Sequence, residues 1–158
     1  MTTEFVERIA VEIDKPVGGG DPVLMIHGLG GTSNTWTALL PAFRRFETLR
    51  FDLPGSGRSS RVEGPLTIDR FVQAALRVLA AGGHERAHVV AHSLGTIVAA
   101  HLAAREPKAV RSLVLFGPLL APPDTARVNI RARGEKARKE PLAILCEHLL
   151  DPADVAKV

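Results

Sequence analysis

The stretch Val89-Val90-Ala91-His92-Ser93-Leu94-Gly95-Thr96 constrains this chain more than any other. Residues 87–91 are a short, mostly apolar run with a β-branched centre, which predicts a buried strand. Residues 94–105 are apolar nearly all round, which predicts a buried helix. Ser93 sits at the join. A reversal that tight forces the serine into strained backbone geometry and leaves its hydroxyl exposed at the sheet's edge. Ala91 and Gly95 are small, so strand and helix can approach closely. The pattern is G-x-S-x-G with alanine in the first place. Two roles are open to Ser93: a nucleophile on a strand-to-helix turn, or a cap for the helix that starts at Leu94.

The rest of the chain alternates in the same way. Residues 4–14 predict one or two strands, and residues 18–22 a turn. Val23-Leu24-Met25-Ile26 is continuously apolar, as in a strand covered on both faces. It runs into His27-Gly28-Leu29-Gly30-Gly31. A helix opens at residues 32–36, with Ser33 or Thr35 to cap it, and heads for Phe43. Residues 48–51 form another strand, ending in the turn-rich loop 52–60. Residues 67–81 are amphipathic, with Thr67 as N-cap and Gly82-Gly83 as the stop. Pro107 ends the helix after Ser93, and residues 110–116 predict one more buried strand. Strands alternating with helices imply a parallel sheet with right-handed crossovers, so the fold class is α/β. Ligands gather at the carboxyl ends of such strands, where the three loops carrying His27, Asp52 and Ser93 lie. After Pro118 the rhythm changes: a loop, a basic helix over 127–140 and a short helix over 142–150.

An alcohol is a weak nucleophile until a base, an orienting partner and oxyanion donors surround it. The donors can be found. They are the backbone N–H of Leu94, at the positive end of a helix, and that of Leu29 in a glycine-rich loop. A phosphate loop is a rival for the glycines, but there is neither G-x-G-x-x-G nor a Gly-Lys-Ser/Thr run. His27 and His92 flank these donors; each fits a loop-shaping hydrogen bond better than the role of base. Trp36 either lines the acyl pocket or packs in the core. A single cysteine, Cys146, excludes an internal disulfide and a multi-cysteine zinc site. Hydrolysis through an acyl-serine needs no metal and no cofactor, so none is expected. No apolar run approaches about 18 residues, and residues 1–8 lack the apolar core of a signal peptide. A cytoplasmic protein with no membrane or nucleic-acid partner is expected.

These motifs, in this order, resemble the N-terminal part of an α/β-hydrolase: His27-Gly28-Leu29-Gly30-Gly31, Trp36, Asp52-Leu53-Pro54-Gly55-Ser56-Gly57-Arg58-Ser59 and Ala91-His92-Ser93-Leu94-Gly95. Within that superfamily the chain is most similar to 3-oxoadipate enol-lactonases and small esterases. The resemblance implies a core over residues 1–118 and the start of a helical lid over 119–158. It implies Ser93 as nucleophile and Leu29 and Leu94 as oxyanion hole; Trp36 and His27 beside them are candidate substrate contacts. The partner would be a small ester or lactone. Residues 127–139 hold six basic residues against one acid, Glu135, which would draw an anionic one.

The triad of that superfamily runs serine, acid, histidine in chain order. Here the fold looks incomplete at its C-terminus, and the available partners are Asp124 and His148. Two readings therefore stand: an ester or lactone hydrolase, or a non-catalytic remnant or binding protein lacking acid and histidine. If further strands are absent, the 110–116 strand becomes an apolar edge through which copies could associate.

Overall fold

The computed structural model describes residues 3–16, 19–61, 63–118 and 124–139. Among these, six strands form one sheet: β1 (Thr3–Val6), β2 (Ile9–Asp14), β3 (Pro22–Ile26), β4 (Glu47–Phe51), β5 (Ala87–His92) and β6 (Val110–Phe116). Their order is β1-β2-β4-β3-β5-β6. The last four are mutually parallel; β1 and β2 add an antiparallel hairpin beside β4. The helices are α1 (Ile68–Ala81), α2 (Leu94–Arg105) and α3 (Asp124–Lys139). Two compact units emerge, Met1–Leu119 and Leu120–Val158; the sheet belongs to the first and α3 to the second. No helix among the described residues is long and apolar enough to cross a membrane.

The unbroken apolar run of β3 is explained by its neighbours. Successive side chains point to opposite faces of a sheet. Leu24 and Ile26 pack with Leu49, Phe51, Val89 and Ala91 beneath α1 and α2. Val23 and Met25 pack with Val90 beneath Trp36, Leu40 and Phe43 of the 3-10 helix Ser33–Phe43. Both faces of β3 are thus in a core, and polar residues have no place on it.

Thr67 caps α1, its Oγ1 accepting from the N–H of Arg70 at 3.3 Å, and Gly82 and Gly83 end it, the latter at φ +82°. The Ser33–Phe43 helix is capped by Thr32 rather than by Ser33 or Thr35: Thr32 Oγ1 accepts from Asn34 N, since its extended backbone turns the hydroxyl back over the first turn. The expectation of a buried α2 is corrected to one face. Gly95, Thr96, Val98, Ala99 and Leu102 are buried, while Ala100, His101 and Ala104 meet solvent. A short stretch of alanines looks apolar all round yet tolerates water at little cost.

The expectation of a buried β6 is also corrected. Its residues are exposed or half-buried, with Leu113, Val114 and Phe116 at 37%, 46% and 46% of full exposure. It is the outer strand of the sheet, paired only with β5 among the described residues. Such an edge offers unpaired backbone groups and apolar side chains to another chain. Its arginine, Arg111, is held by Asp21 at 2.9 Å and does little to repel a partner. We propose that copies associate here. Sedimentation velocity is expected to show species larger than a monomer, reduced by Val114→Lys; a monodisperse wild-type monomer would refute this.

Candidate active site

β3 feeds β4 on one side through the Ser33–Phe43 helix, while β5 lies on its other side and feeds β6 through α2. The chain therefore diverges between the carboxyl ends of β3 and β5. At such a divergence an α/β sheet leaves a crevice. Ser93 stands there, half-buried, directly after β5.

Its backbone is at φ +51° and ψ −116°, a conformation that L-residues seldom adopt. The surroundings over-determine it. Ser93 N–H donates to the carbonyl of Phe116 at 3.0 Å, tying the turn to the end of β6. The Ser93 carbonyl accepts from the Thr96 N–H at 2.9 Å and from the Thr96 hydroxyl at 2.6 Å. Gly95 lies against the end of β3: a Cβ there would run into the Ile26 carbonyl oxygen and come within 2.8 Å of that of His27. Gly28 presses from the other side, where a Cβ would be 3.0 Å from Ser93 Cβ and from His92 Nδ1. Ser93 makes no side-chain bond to α2, so it does not serve as the helix cap. Thr96, which the sequence did not single out, instead satisfies that turn's carbonyl.

The glycine-rich loop after β3 folds over this rim. Gly31 N–H closes a turn onto the Gly28 carbonyl at 3.1 Å, Gly30 has φ +76°, and Leu29 projects at the tip, 79% exposed. Leu94 opens α2, so its N–H has no acceptor within the helix. His27 is fully buried beneath the loop. Its Nδ1 lies 2.8 Å from the Gly28 carbonyl, and its Nε2 lies 2.9 Å from the Leu53 N–H. A carbonyl only accepts and an N–H only donates, so the ring is neutral, with its proton on Nδ1. Burial holds its pKa below the ordinary 6.5, against smaller opposing pulls from the Gly28 carbonyl and the Asp52 charge. Of the two expectations for His27, the substrate contact is corrected and the loop-shaping bond is what the structure has: both ring nitrogens are occupied, and the ring braces the two loops.

Asp52 braces the second side. It is fully buried, and its carboxylate accepts from the backbone N–H groups of Ser33 at 2.7 Å and Arg58 at 2.8 Å. Burial raises its pKa, but those bonds, with the side chains of Ser33 and Arg58, outweigh it and hold the carboxyl below its usual value. Arg58 reaches on to Glu12 at 2.6 Å and Ser33 Oγ at 2.8 Å; Glu12 in turn pairs with the fully buried Arg50 at 2.9 Å, and Arg50 with Asp14 at 2.8 Å. Ser59 completes the lacing, accepting from Ala10 N–H and donating to the Asp52 carbonyl. Gly57 is required twice over: it has φ +49°, and any Cβ would collide with the Asp52 carboxylate.

Trp36 is both core and wall. It is 3% exposed, packs on Val23, Met25 and Val90, and lines a cavity of about 240 Å³ with Thr35, Leu39, His92 and Phe116. Asp124 opens α3 in the second unit, almost fully exposed, 3.9 Å from Arg127. His148 lies outside the described residues. Among those described, the Ser93 hydroxyl has no hydrogen-bond partner, and no group of three His, Cys, Asp or Glu side chains could hold a metal ion.

The α/β hydrolase fold family matches residues 21–137. The chain belongs to that family. A 2-hydroxymuconate semialdehyde hydrolase of Pseudomonas putida is 38% identical over 104 residues, covering 63% of this chain and 37% of that one. Among solved structures, a hydrolase from Pseudomonas aeruginosa superposes with a TM-score of 0.69 at 30% identity, over 94% of this chain and 60% of that one. The enol-lactonase of Burkholderia xenovorans superposes at 0.64 with 25% identity, over 66% and 41%. The chain thus spans well under half of that curated relative. The family's fold is the one that the strand-and-motif order predicted, an α/β fold with a mostly parallel sheet.

Proposed function

We propose that this chain carries the nucleophile and oxyanion donors of a hydrolase that cleaves a carboxylic ester or lactone through an acyl-serine intermediate. Ser93 Oγ attacks the carbonyl carbon. The N–H groups of Leu94 and Leu29 receive the negative charge that develops on the carbonyl oxygen; one such donor is worth about 3 kcal/mol of barrier. The alcohol departs with a proton, and water then attacks the acyl-serine and releases the acid. The observation that carries this reading is the backbone of Ser93. Its strained φ of +51° is held from four sides while its hydroxyl makes no cap bond to α2.

The competing reading, a binding protein on a hydrolase scaffold, draws on one fact: among the described residues no base meets the Ser93 hydroxyl. Without a base, donors and binding still accelerate such chemistry by about 10³–10⁴ over water. Intact-protein mass spectrometry after hours with a fluorophosphonate is therefore expected to show one adduct, mapped to Ser93 and absent from Ser93→Ala. Turnover of p-nitrophenyl esters by this chain alone is expected to stay slow. An unmodified wild-type chain, or the same adduct in Ser93→Ala, would favour the binding reading.

A further inference from the structure

The cavity beside Ser93 says something about what the site takes. Its five lining residues are Thr35, Trp36, Leu39, His92 and Phe116, with no Asp, Glu, Lys or Arg among them. It adjoins the turn at two points. His92 immediately precedes Ser93, and the Phe116 carbonyl accepts the Ser93 N–H. The Trp36 and Phe116 rings stand 6.5 Å apart at 50°, a tilted contact pair that together presents an aromatic surface to the groove. Trp36 is fixed from behind by Val23, Met25 and Val90, so that wall is preorganised. A charged group pressed against this lining would lose part of its hydration with no Asp, Glu, Lys or Arg among the described lining residues to pair with it. As for size, an apolar cavity of about 150 Å³ holds a benzene. The groove here offers about 240 Å³ but is open on one side, so a phenyl-sized group would lie against it partly covered.

We propose that this groove binds a neutral, phenyl-sized group of the ligand, with Trp36 and Phe116 as its walls. The proposal rests on the reading of Ser93 as the reacting centre for its orientation, but not for its test. The expectation of an anionic ligand came from the basic residues of α3; no Lys or Arg is among the described residues that line the groove, which favours an uncharged group there.

Trp36 is the sole tryptophan of the chain, so its fluorescence reports on the groove directly. The probes are phenylacetamide and 4-carboxyphenylacetamide, which share a ring and differ in charge. Phenylacetamide is expected to shift the emission saturably, with a Kd on the order of 1 mM for a ligand of this size. The carboxylated probe is expected to bind about tenfold more weakly. Ser93→Ala should leave both unchanged, so binding can stand or fall apart from the Ser93 adduct. Leu39 is 40% exposed and tolerates a longer side chain; Leu39→Lys should reverse the preference towards the carboxylated probe. No saturable shift, equal binding of both probes, or emission that follows protein concentration and ignores ligand would each overturn the proposal. The last outcome would mean that a second copy fills the groove.

Discussion

Asp52→Ala is expected to cost about 3–5 kcal/mol of unfolding free energy, the usual penalty for removing one side of a buried charged network. The carboxylate is fully buried and accepts two backbone N–H groups, from Ser33 and Arg58, both of which would lose this acceptor. Arg58 would keep Glu12 but lose its second carboxylate, and the Ser33–Phe43 helix would lose the anion at its positive end. The same residue sets a pH dependence. Its folded pKa lies below 3.8, so its contribution is complete above about pH 4 and is lost as pH falls towards the folded value. His27 acts in the same direction in a higher window. Its folded pKa lies below 6.5, so below that pH the unfolded chain takes up a proton that the folded chain refuses, and stability falls. Urea titrations from pH 7 to 3 should show the wild type weakening with acid. Asp52→Asn should weaken it at neutral pH and flatten the slope below about pH 4. An Asp52→Ala midpoint equal to wild type would show that the loop is held by something else.

Gly95→Ala is expected to cost about 3 kcal/mol, at the upper end for overpacking, because the new methyl meets backbone and not a movable side chain. The Ile26 and His27 carbonyls belong to β3 and its loop, and can yield only by shifting a central strand away from α2. That shift would also move the Leu94 N–H relative to the Leu29 loop. The fluorophosphonate adduct on Ser93 should therefore disappear even where the protein remains folded. Gly30→Ala is the matched comparison. Nothing lies within 4 Å of its added Cβ, so only the positive φ is penalised, at about 1 kcal/mol. Equal midpoints for the two variants would show that close approach does not hold the turn.

Much of this architecture was legible in residue order, because the signals are local. Thr67 before an amphipathic run, Gly82-Gly83 after it, and Ser93 between an apolar strand and an apolar helix each declare their element within a few residues. The placing of His27 as a loop brace was legible for a similar reason: glycines follow it, and its partner Gly28 is its neighbour. Arg50 was not. An arginine alternating with Leu49 and Phe51 along a β-strand reads as the solvated side chain of that strand, yet it is fully buried because Glu12 and Asp14 arrive from β2, far away in sequence. Thr96 was missed because a threonine inside a helix carries no signal until the unusual turn before it leaves a carbonyl facing its hydroxyl.

The sequence by itself determined the alternation of strands and helices, the carboxyl-end placing of the three special loops, and the position of Ser93 at a turn; periodicity, caps and small residues act over a few positions and need no partner. Only the tertiary structure decided that Gly28 and Gly95 clamp that turn, that Asp52 is a buried strut, that β6 is the outer strand among the described residues, and that Trp36 lines an aromatic groove. Those outcomes depend on which surfaces meet. Burial and desolvation are properties of an assembled neighbourhood, and a residue's identity does not carry them.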